Sequence, residues 1–303
     1  MDNTISPYGL GIDAGGTRTC WALASVDGAI VAEGEAAGWS ALQMGSAEGR
    51  ASVQATLALL ARQVNVHALP RAVRAGVTGF GGDGGALQRM LAGLFGLAPA
   101  AVTVCSDIES AYLASFAPGQ GYLVYAGTGS IGAFIDHAGQ FHRAGGRGVC
   151  LDDGGGGYWI AREALRHIWR GEDEQPGRWR ASPMAQAVFA HIGGDDWALS
   201  RQFIYGQERG AVGKLALAVA ASAACDPVAA AILTQAGREL ARLASALCAR
   251  LGPRPVALAG RAAGLHASIF ASMRTALPDA ISLMQSGAQA HHAAARMAVA
   301  AAP

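Results

Sequence analysis

The sequence has almost no lysine and little charge of any kind. Lys214 is the one lysine among 23 basic residues, and 15% of the 303 residues are charged, against about a quarter in ordinary proteins. The formal net charge is +1. The chain therefore lacks the one-sided positive field with which proteins bind nucleic acid or anionic membranes, and we expect neither partner.

Long apolar runs and a charged leader are also missing. An apolar stretch such as Leu215 to Cys225 is well short of the roughly 18 residues that a membrane-spanning helix needs. The first residues are polar and do not form a positively charged segment followed by an apolar run. These features predict a soluble, cytoplasmic protein.

The cysteines lack any spacing that indicates a shared site. They are odd in number and far apart in the sequence, which excludes a disulfide framework and the spacings typical of zinc or iron–sulfur sites. We predict that they are buried small hydrophobic residues. The five are Cys20, Cys105, Cys150, Cys225 and Cys248.

Glycine, in contrast, is abundant. There are 42 glycines among 303 residues, about twice the ordinary usage near 7%. Hydrophobic residues make up 51% and no Gly-X-Y period is present, which excludes a fibrous or low-complexity chain. A GC-rich genome explains part of the excess, since alanine and arginine are also frequent. The remainder is concentrated in residues 11–17, 127–132, 145–157 and at Gly260.

Short apolar strands alternate with helices, which predicts an α/β fold with parallel strand pairing. The order strand, Gly/Thr turn, strand, Gly turn, strand occurs once near residue 13 and again near residue 127. We interpret this pattern as an internal duplication with two lobes, residues 1–116 and 117–303, and expect the last helix, 288–300, to pack back on the first lobe. Strands are predicted over 8–13, 18–26, 29–36, 72–78, 101–105, 121–125, 131–136, from 141 and over 255–259. Helices are predicted over 47–64, 86–95, 157–170, 183–191, 196–205, 208–225, 227–251, 265–277 and 288–300, with a surface loop at 171–177.

Two Gly/Thr turns are candidate phosphate sites. In Asp13-Ala-Gly-Gly-Thr17-Arg-Thr, glycines let backbone N–H groups close on an anion and hydroxyls add donors. Asp13 ends a strand, where a carboxylate can hold hydrated Mg²⁺; an ordinary hairpin turn is the alternative. The second turn lies in Ala126 to Gly132, which matches G-x-G-x-x-G but leads into a strand and not into the helix that a dinucleotide site requires. No Walker-type GxxxxGK[ST] segment is present.

Asp107 follows a predicted strand and begins a predicted helix. Ser106 and Glu109 have capping-box spacing, so one interpretation is that Asp107 simply suits the dipole of the first helical turn. The other is that a carboxylate at the carboxyl end of a strand accepts a proton from an attacking hydroxyl. Both interpretations stay open.

Residues 145–157 combine seven glycines with Asp152 and Asp153 ahead of an amphipathic helix. So many glycines indicate backbone that approaches a ligand, and the aspartates suit either a polyol or the cap of a turn. Pro255 to Arg261 predicts a strand that ends at Gly260, which suits either a base or ribose lying on the backbone or a plain turn.

In order and spacing, the segments DAGGTRT, SDxxxAY, AGTGSIG, GGRGxxLDD, GYWIAREAL and ALAGR resemble the N-acetylglucosamine and glucosamine kinases and the related ATPases that activate acyl-CoA reductases. This grouping belongs to the sugar kinase, heat-shock protein 70 and actin superfamily, and the resemblance covers nearly the whole chain. It implies two lobes with ribonuclease H-like cores, ATP and an amino sugar bound in the cleft between them, and a homodimer.

The resemblance also implies roles for individual residues. Asp107 falls on the general base, and Asp13 on an acid associated with Mg²⁺, here through water. Contacts with ATP are implied for Gly15, Gly16, Thr17, Arg18, Thr19, Gly127, Thr128, Gly129 and Gly260. Contacts with the sugar are implied for Ser40, Asp107, Gly146, Arg147 and Asp153.

Several positions depart from that family's pattern. Arg147 stands where the family commonly has tryptophan, and the residues from Asp152 to Gly156 replace Gly-Asp-Glu-Gly-Ser, so that Gly154 and Gly156 remove a glutamate and a serine. An asparagine expected near Ser40 has no counterpart. The phosphoryl-transfer residues are therefore complete, whereas the sugar pocket is altered.

Two alternatives stay open. One is an ATPase that activates a partner acyl-CoA reductase or dehydratase; such ATPases hold an iron–sulfur cluster with cysteines, and no suitably spaced pair is found here. The other is a sugar-binding protein with weak or no catalysis. Sugar-sensing regulators usually carry an N-terminal DNA-binding module, for which a phosphate motif at Asp13 leaves no room.

Overall fold

A five-stranded sheet is the framework of the first unit in the structure, a computed structural model that describes residues 8–301. Its strands have the order β3-β2-β1-β4-β5. The first three form an antiparallel meander, and β4 and β5 run parallel to β1. In chain order the elements are β1 (Tyr8–Ala14), β2 (Arg18–Ala24), β3 (Ile30–Ala37), α1 (Ala47–Asn65), β4 (Pro70–Val77), α2 (Gly85–Phe95), β5 (Val102–Ser106) and α3 (Asp107–Ser115).

Helix α1 shows why this unit folds as predicted. Its apolar residues recur at helical spacing, and Val53, Leu57, Leu60 and Val64 are all buried. They pack in one core with strand residues such as Leu10. This core covers one face of the sheet. Packing on that face fixes the strands relative to one another, and therefore also the polar residues at their carboxyl ends.

The second unit repeats the topology of the first. Its sheet has the order β8-β7-β6-β9-β10, again with three antiparallel strands and two strands parallel to the first. The predicted duplication is therefore confirmed in strand order and direction. In chain order the elements are β6 (Tyr122–Ala126), β7 (Ser130–Ile135), β8 (Phe141–Gly145), α4 (Gly157–Glu174), α5 (Pro183–Ile192), α6 (Trp197–Gly206), α7 (Arg209–Gly213), α8 (Leu215–Ser222), α9 (Pro227–Leu251), β9 (Val256–Ala259), α10 (Ala267–Ala276) and β10 (Leu283–Gln285).

The last helix, α11 (Ala290–Ala300), packs on β1 of the first unit. A Cβ at Gly9 or at Gly11 would overlap the backbone of α11, so glycine at both positions allows the helix to lie directly on the strand. The first unit therefore comprises the described chain up to Ala117 and from Gly287 onward, and the second comprises Pro118–Ser286.

Some predicted elements differ from the structure. Strand β10 is not predicted, because three half-exposed residues carry no alternating pattern. Helix α4 continues to Glu174, so the first part of the predicted loop 171–177 is helical. The predicted helix 208–225 is divided at Lys214, whose N–H donates to the carbonyl of Ala211, three residues back, and so tightens the turn.

The prediction that the cysteines are buried is wrong for most of them. Cys105 on β5 is buried, but Cys20 and Cys248 are partly exposed. Cys150 and Cys225 are exposed because they lie in turns between elements.

Within residues 8–301 no single helix has both the length and the apolarity needed to cross a bilayer. One bent pair, Arg209–Ser222 followed by Pro227–Leu251 at an angle of 118°, meets those criteria jointly by length and composition.

Candidate active site

Two carboxylates lie at the same edge of the first sheet. Asp13 near the end of β1 is in register with Gly76 on β4, which is in register with Cys105 on β5. Asp107 follows Cys105 by two residues and begins α3. Because these three strands are parallel, their carboxyl ends meet at one edge, where α/β sheets bind ligands.

The pKa values of both carboxyl groups are raised, and that of Asp13 partly by the charge of Asp107. Burial, and then the nearby charge of Asp107, raise the pKa of Asp13 to about 6, with Arg18 acting in the opposite direction. Burial also raises the pKa of Asp107, against the hydroxyl of Thr78 and the N–H of Ile108, which donates at 2.9 Å. Two partly buried acids whose pKa values are raised fit a divalent cation, since hard carboxylate oxygens are the ligands that Mg²⁺ prefers.

The capping box of α3 is formed without Asp107. The hydroxyl of Ser106 accepts the N–H of Glu109 at 3.1 Å, and the carboxylate of Glu109 accepts the N–H of Ser106 at 3.0 Å. The helix is therefore capped by its neighbours, and the carboxylate of Asp107 is not required for that purpose.

The first Gly/Thr turn connects β1 to β2 beside these acids. The N–H of Gly15 donates to the carbonyl of Arg18 at 3.0 Å, and Gly16 and Thr17 are exposed. Arg18 is also exposed and forms an ion pair with Glu35 at 2.6 Å. The turn thus presents backbone, a hydroxyl and a guanidinium at the sheet edge.

Thr19 lies apart from the rest of this turn. Its side chain is buried, and its hydroxyl donates to the carbonyl of Ala37 at 2.9 Å. In this structure the Thr19 hydroxyl is therefore bonded to the backbone at the end of β3, and the contact of Thr19 with ATP stays a prediction. Gly38, which is not among the predicted site residues, lies directly against the turn. A Cβ there would overlap the backbone of Thr17 and Arg18.

Thr78 connects Ser40 to Asp107. The hydroxyl of Ser40 donates to the carbonyl of Thr78 at 3.2 Å, and it caps the short 3₁₀ helix Ala41–Gly45. The hydroxyl of Thr78 acts on Asp107, because it lowers the pKa of that carboxyl against the effect of burial. Thr78 is not among the predicted site residues, although its position directly after β4 at the same sheet edge is a signal that could have identified it.

In the second unit, the turn between β6 and β7 is joined to the start of α4. The N–H groups of Gly157 and Tyr158 donate to the carbonyls of Gly127 and Thr128 at 2.8 and 2.9 Å. A Cβ at Gly156 would lie 2.6 Å from the carbonyl carbon of Gly129. The glycine at 156 therefore permits direct backbone contact between the helix start and the turn.

Gly260 borders the same turn. Its φ is +97°, and a Cβ there would overlap the backbone of Ala126 at the end of β6. Both properties require glycine. The structure thus brings Gly260 close to Gly127, as expected for residues that share a site.

Asp153 brings the glycine-rich loop onto the turn. Its side chain is only 7% exposed, its φ is +57°, and its carboxylate accepts the N–H of Gly148 at 3.1 Å and lies against Gly129. Burial, and then the charge of Asp152, raise the pKa of Asp153. A buried acid in a strained backbone conformation is typical of a functional site.

Two other predicted residues of this loop, Gly146 and Arg147, differ in their contacts. Gly146 is tied to the turn through its N–H, which donates to the carbonyl of Ser130 at 3.1 Å. Arg147 is exposed, with its side chain at the surface of the loop.

A helix supplies an acid beside the altered position Gly154. A Cβ at Gly154 would lie 3.0 Å from the side chain of Glu239 on α9. Gln235 donates to Glu239 at 2.9 Å, and Arg242 contacts both Glu239 and Asp152, at 3.3 and 2.8 Å. Glu239 is not among the predicted site residues, because no local sequence pattern relates α9 to the loop.

Comparisons with known proteins agree with this geometry. The profile of the BadF/BadG/BcrA/BcrD ATPase family matches residues 10–295. No curated protein sequence matches the chain.

Solved structures share the fold over almost the whole chain. A candidate N-acetylglucosamine kinase from Chromobacterium violaceum is 26% identical, with a TM-score of 0.71 over 97% of this chain and 99% of that one. A second candidate N-acetylglucosamine kinase, from Porphyromonas gingivalis, is 17% identical, with a TM-score of 0.73 over 96% and 99%. A ROK family glucokinase from Streptomyces griseus in complex with glucose and AMPPNP is 17% identical, with a TM-score of 0.66 over 97% and 99%. The predicted fold, that of the sugar kinases and actin-like ATPases, is confirmed.

Proposed function

Because the chain belongs to the BadF/BadG/BcrA/BcrD ATPase family and shares the fold of sugar kinases, we propose that it is an ATP-dependent kinase of an amino sugar, N-acetylglucosamine or glucosamine. The family and the fold support ATP use and kinase chemistry at the general level. The candidate kinase at 26% identity supports the amino sugar. The observation that carries the proposal is the placement of Asp107 directly after β5, at the same sheet edge as Asp13, whose pKa its charge raises.

In the proposed reaction Asp107 is the general base. Its carboxylate accepts the proton of the sugar hydroxyl at C6 while the oxygen attacks the γ-phosphorus of ATP, and the bond from that phosphorus to the β–γ bridging oxygen breaks so that ADP leaves. A pKa raised by burial brings the base nearer to the working pH, which favours proton transfer. The hydroxyl of Thr78 keeps the carboxylate oriented toward the reacting hydroxyl.

Asp13 and the two Gly/Thr turns are proposed to hold the phosphates. Asp13 would hold Mg²⁺ through water, and the turns at Thr17 and at Thr128 would donate to phosphate oxygens. Bound Mg²⁺ supplies positive charge against the charge on the transferring phosphoryl group. Arg18 is exposed on the first turn and adds a further cation.

Asp153, Gly146 and Glu239 are proposed to contact the sugar. Asp153 is a buried carboxylate that suits sugar hydroxyls, and Gly146 is tied to the phosphate turn at Ser130. Glu239 places a carboxylate where the side chain of a residue at 154 would project. In the resembling family the loop carries a glutamate at the position of Gly154. We therefore propose that Glu239 on α9 supplies the carboxylate that this glutamate would provide.

A coupled assay of ATP consumption tests the proposal. The purified chain is given ATP and Mg²⁺ with glucosamine, N-acetylglucosamine, N-acetylmannosamine, glucose or a muramic-type sugar. We expect ATP consumption to depend on an amino sugar and a sugar phosphate to accumulate in equal amount. If no sugar stimulates ATP consumption, the kinase proposal is wrong. Sugar-independent hydrolysis by a brown, iron-containing protein would favour the ATPase that activates a partner enzyme.

A further inference from the structure

Two imidazoles and a carboxylate that have no assigned part in catalysis converge on the surface of the first unit. Nε2 of His292 lies 2.5 Å from Oε2 of Glu33, and Nε2 of His291 lies 3.8 Å from the same oxygen. The three ligand atoms all lie within 4.8 Å of one another. Neighbouring residues on a helix point about 100° apart, so convergence of both rings on one oxygen requires particular side-chain conformations.

The cluster joins two elements that are distant in the sequence. Glu33 lies on β3, in register with Ala22 on β2, and both histidines lie in the first turn of α11. The two imidazole side chains are largely covered, at 12% and 19% exposed, whereas the carboxylate is 57% exposed. The packing of α11 on β1 thus holds the imidazoles, and solvent reaches the carboxylate.

The chemistry of these groups is that of a transition-metal site. Imidazole nitrogen with carboxylate oxygen is a common ligand set for Zn²⁺, and a neutral imidazole is the ligating form. Nε2 of His292 and Oε2 of Glu33 are hydrogen-bonded to each other, and a cation bound by both atoms would replace that hydrogen bond.

We propose that Glu33, His291 and His292 bind one Zn²⁺-class transition-metal ion, which fastens α11 to β3. Water would complete a tetrahedral site. The ion displaces the hydrogen from Nε2 of His292, and the neutral ring then carries its one proton, taken up from solvent, at Nδ1. Ligand atoms about 2.0–2.1 Å from the ion lie about 3.3–3.4 Å apart, so the Glu33 carboxylate moves away from His292 and toward His291. The Glu33 side chain is exposed, which leaves room for this movement, and none of the three ligands takes part in the proposed kinase reaction.

Metal titration of the full chain, prepared without a polyhistidine tag and freed of metal with a chelator, tests the proposal. We expect one Zn²⁺ per chain by calorimetry, a higher thermal midpoint with Zn²⁺, and a visible absorption spectrum of tetrahedral Co²⁺. Glu33→Gln, His291→Ala and His292→Ala should each weaken binding more than about tenfold. Asp13→Asn should retain it, which separates this site from the proposed Mg²⁺ site.

His142→Ala is the matched control. His142 pairs with Asp136 at 2.8 Å, so it tests whether a single histidine–carboxylate pair accounts for the binding, and we expect it to bind like the wild type. If His292→Ala does not fold, Glu33→Gln decides, because its exposed amide keeps a hydrogen-bonding partner for His292. Absence of stoichiometric binding, or equal binding by Glu33→Gln and the wild type, would overturn the proposal.

Discussion

Asp13 is partly buried beside a second acid, and its pKa of about 6 lies above the ordinary value of 3.8. The folded chain therefore holds this proton more tightly than the unfolded chain, so the contribution of Asp13 to stability is present below about pH 4 and is lost as the pH rises through about 6. We predict that Asp13→Asn raises the free energy of unfolding by up to about 3 kcal/mol at neutral pH. The difference from the wild type should vanish below about pH 4. Urea unfolding of both proteins across this range measures it, and a difference independent of pH would contradict the prediction.

Asp107→Asn tests the base directly. The amide keeps the size of the side chain but cannot accept the proton, so kcat should fall by about 10²–10⁴-fold. The affinity for ATP, measured by calorimetry, should change little. Asp83→Asn is the control, since Asp83 is exposed in the same unit and accepts only the N–H of Gly85. Full turnover by Asp107→Asn would refute the assignment.

Thr78→Val tests how Asp107 is held. The donated hydroxyl stabilises the ionised carboxylate and lowers its pKa. Removing it should raise that pKa, so the acidic limb of the kcat profile should shift to higher pH while activity on the alkaline side is largely kept. Thr103→Val, at an exposed position of β5, is the control. An unshifted limb would show that the hydrogen bond does not act on the base.

At the residue scale, sequence patterns identify groups at strand ends but not contacts across the fold. Asp13 and Asp107 are predicted because each lies near the end of a strand, and Gly260 because it ends a third. Thr78 is not predicted, because its effect on Asp107 depends on the parallel pairing of β4 with β5. Glu239 is not predicted, because the packing of α9 brings it next to Gly154 in the glycine-rich loop.

At the scale of elements, the start of α4 is fixed by backbone contact with the turn at Gly129. We predict that Gly156→Ser, which restores the residue found in the resembling family, disrupts this contact because a Cβ would lie 2.6 Å from the Gly129 carbonyl carbon. The expected loss of stability is about 1–3 kcal/mol, with a higher KM for ATP. Thermal unfolding and steady-state kinetics measure the two effects. Gly93→Ser, at a helical glycine with open space, should change neither, and equal behaviour of the two variants would contradict the explanation.

Long periodic elements are predicted well, and short or divided ones are not. The spacing of Val53, Leu57 and Leu60 predicts α1 almost to its ends, because one apolar face is buried over about three turns. The break between α7 and α8 at Lys214 is not predicted, because the apolar pattern continues through it. One tightened turn ends the first helix without a change in composition. Strand β10 depends on pairing with β9, which no local pattern encodes.

For the whole molecule, the repeated sheet order is visible in the sequence because each copy starts with a strand, a Gly/Thr turn and a second strand. The register between strands is not visible, since it depends on packing by distant helices. The position of helix α11 depends on such distant packing too. Its small residues Ala295 and Ala298 suit close packing, and the strand that accepts it is β1, where Gly9 and Gly11 leave room for the helix backbone.

Removal of residues 287–303 should affect the two units differently. The deletion uncovers β1 and exposes apolar residues such as Ala22, which is buried with Val299. We predict that backbone amides of β1 and β4 lose protection from hydrogen exchange, whereas those of β6 and β9 keep it. Mass spectrometry of exchanged peptides measures both, and equal loss in the two sheets would contradict the prediction.

The packing of α11 on β1 also has a consequence for the order of folding during synthesis. The second unit is built from consecutive residues, Pro118–Ser286, and its sheet is complete once they leave the ribosome. The first unit, although its sheet is translated first, lacks helix α11 until Ala290–Ala300 emerge. Until then, the face of the N-terminal sheet on which α11 packs is not covered by that helix. We therefore expect this sheet to be the segment of the nascent chain that needs protection from aggregation.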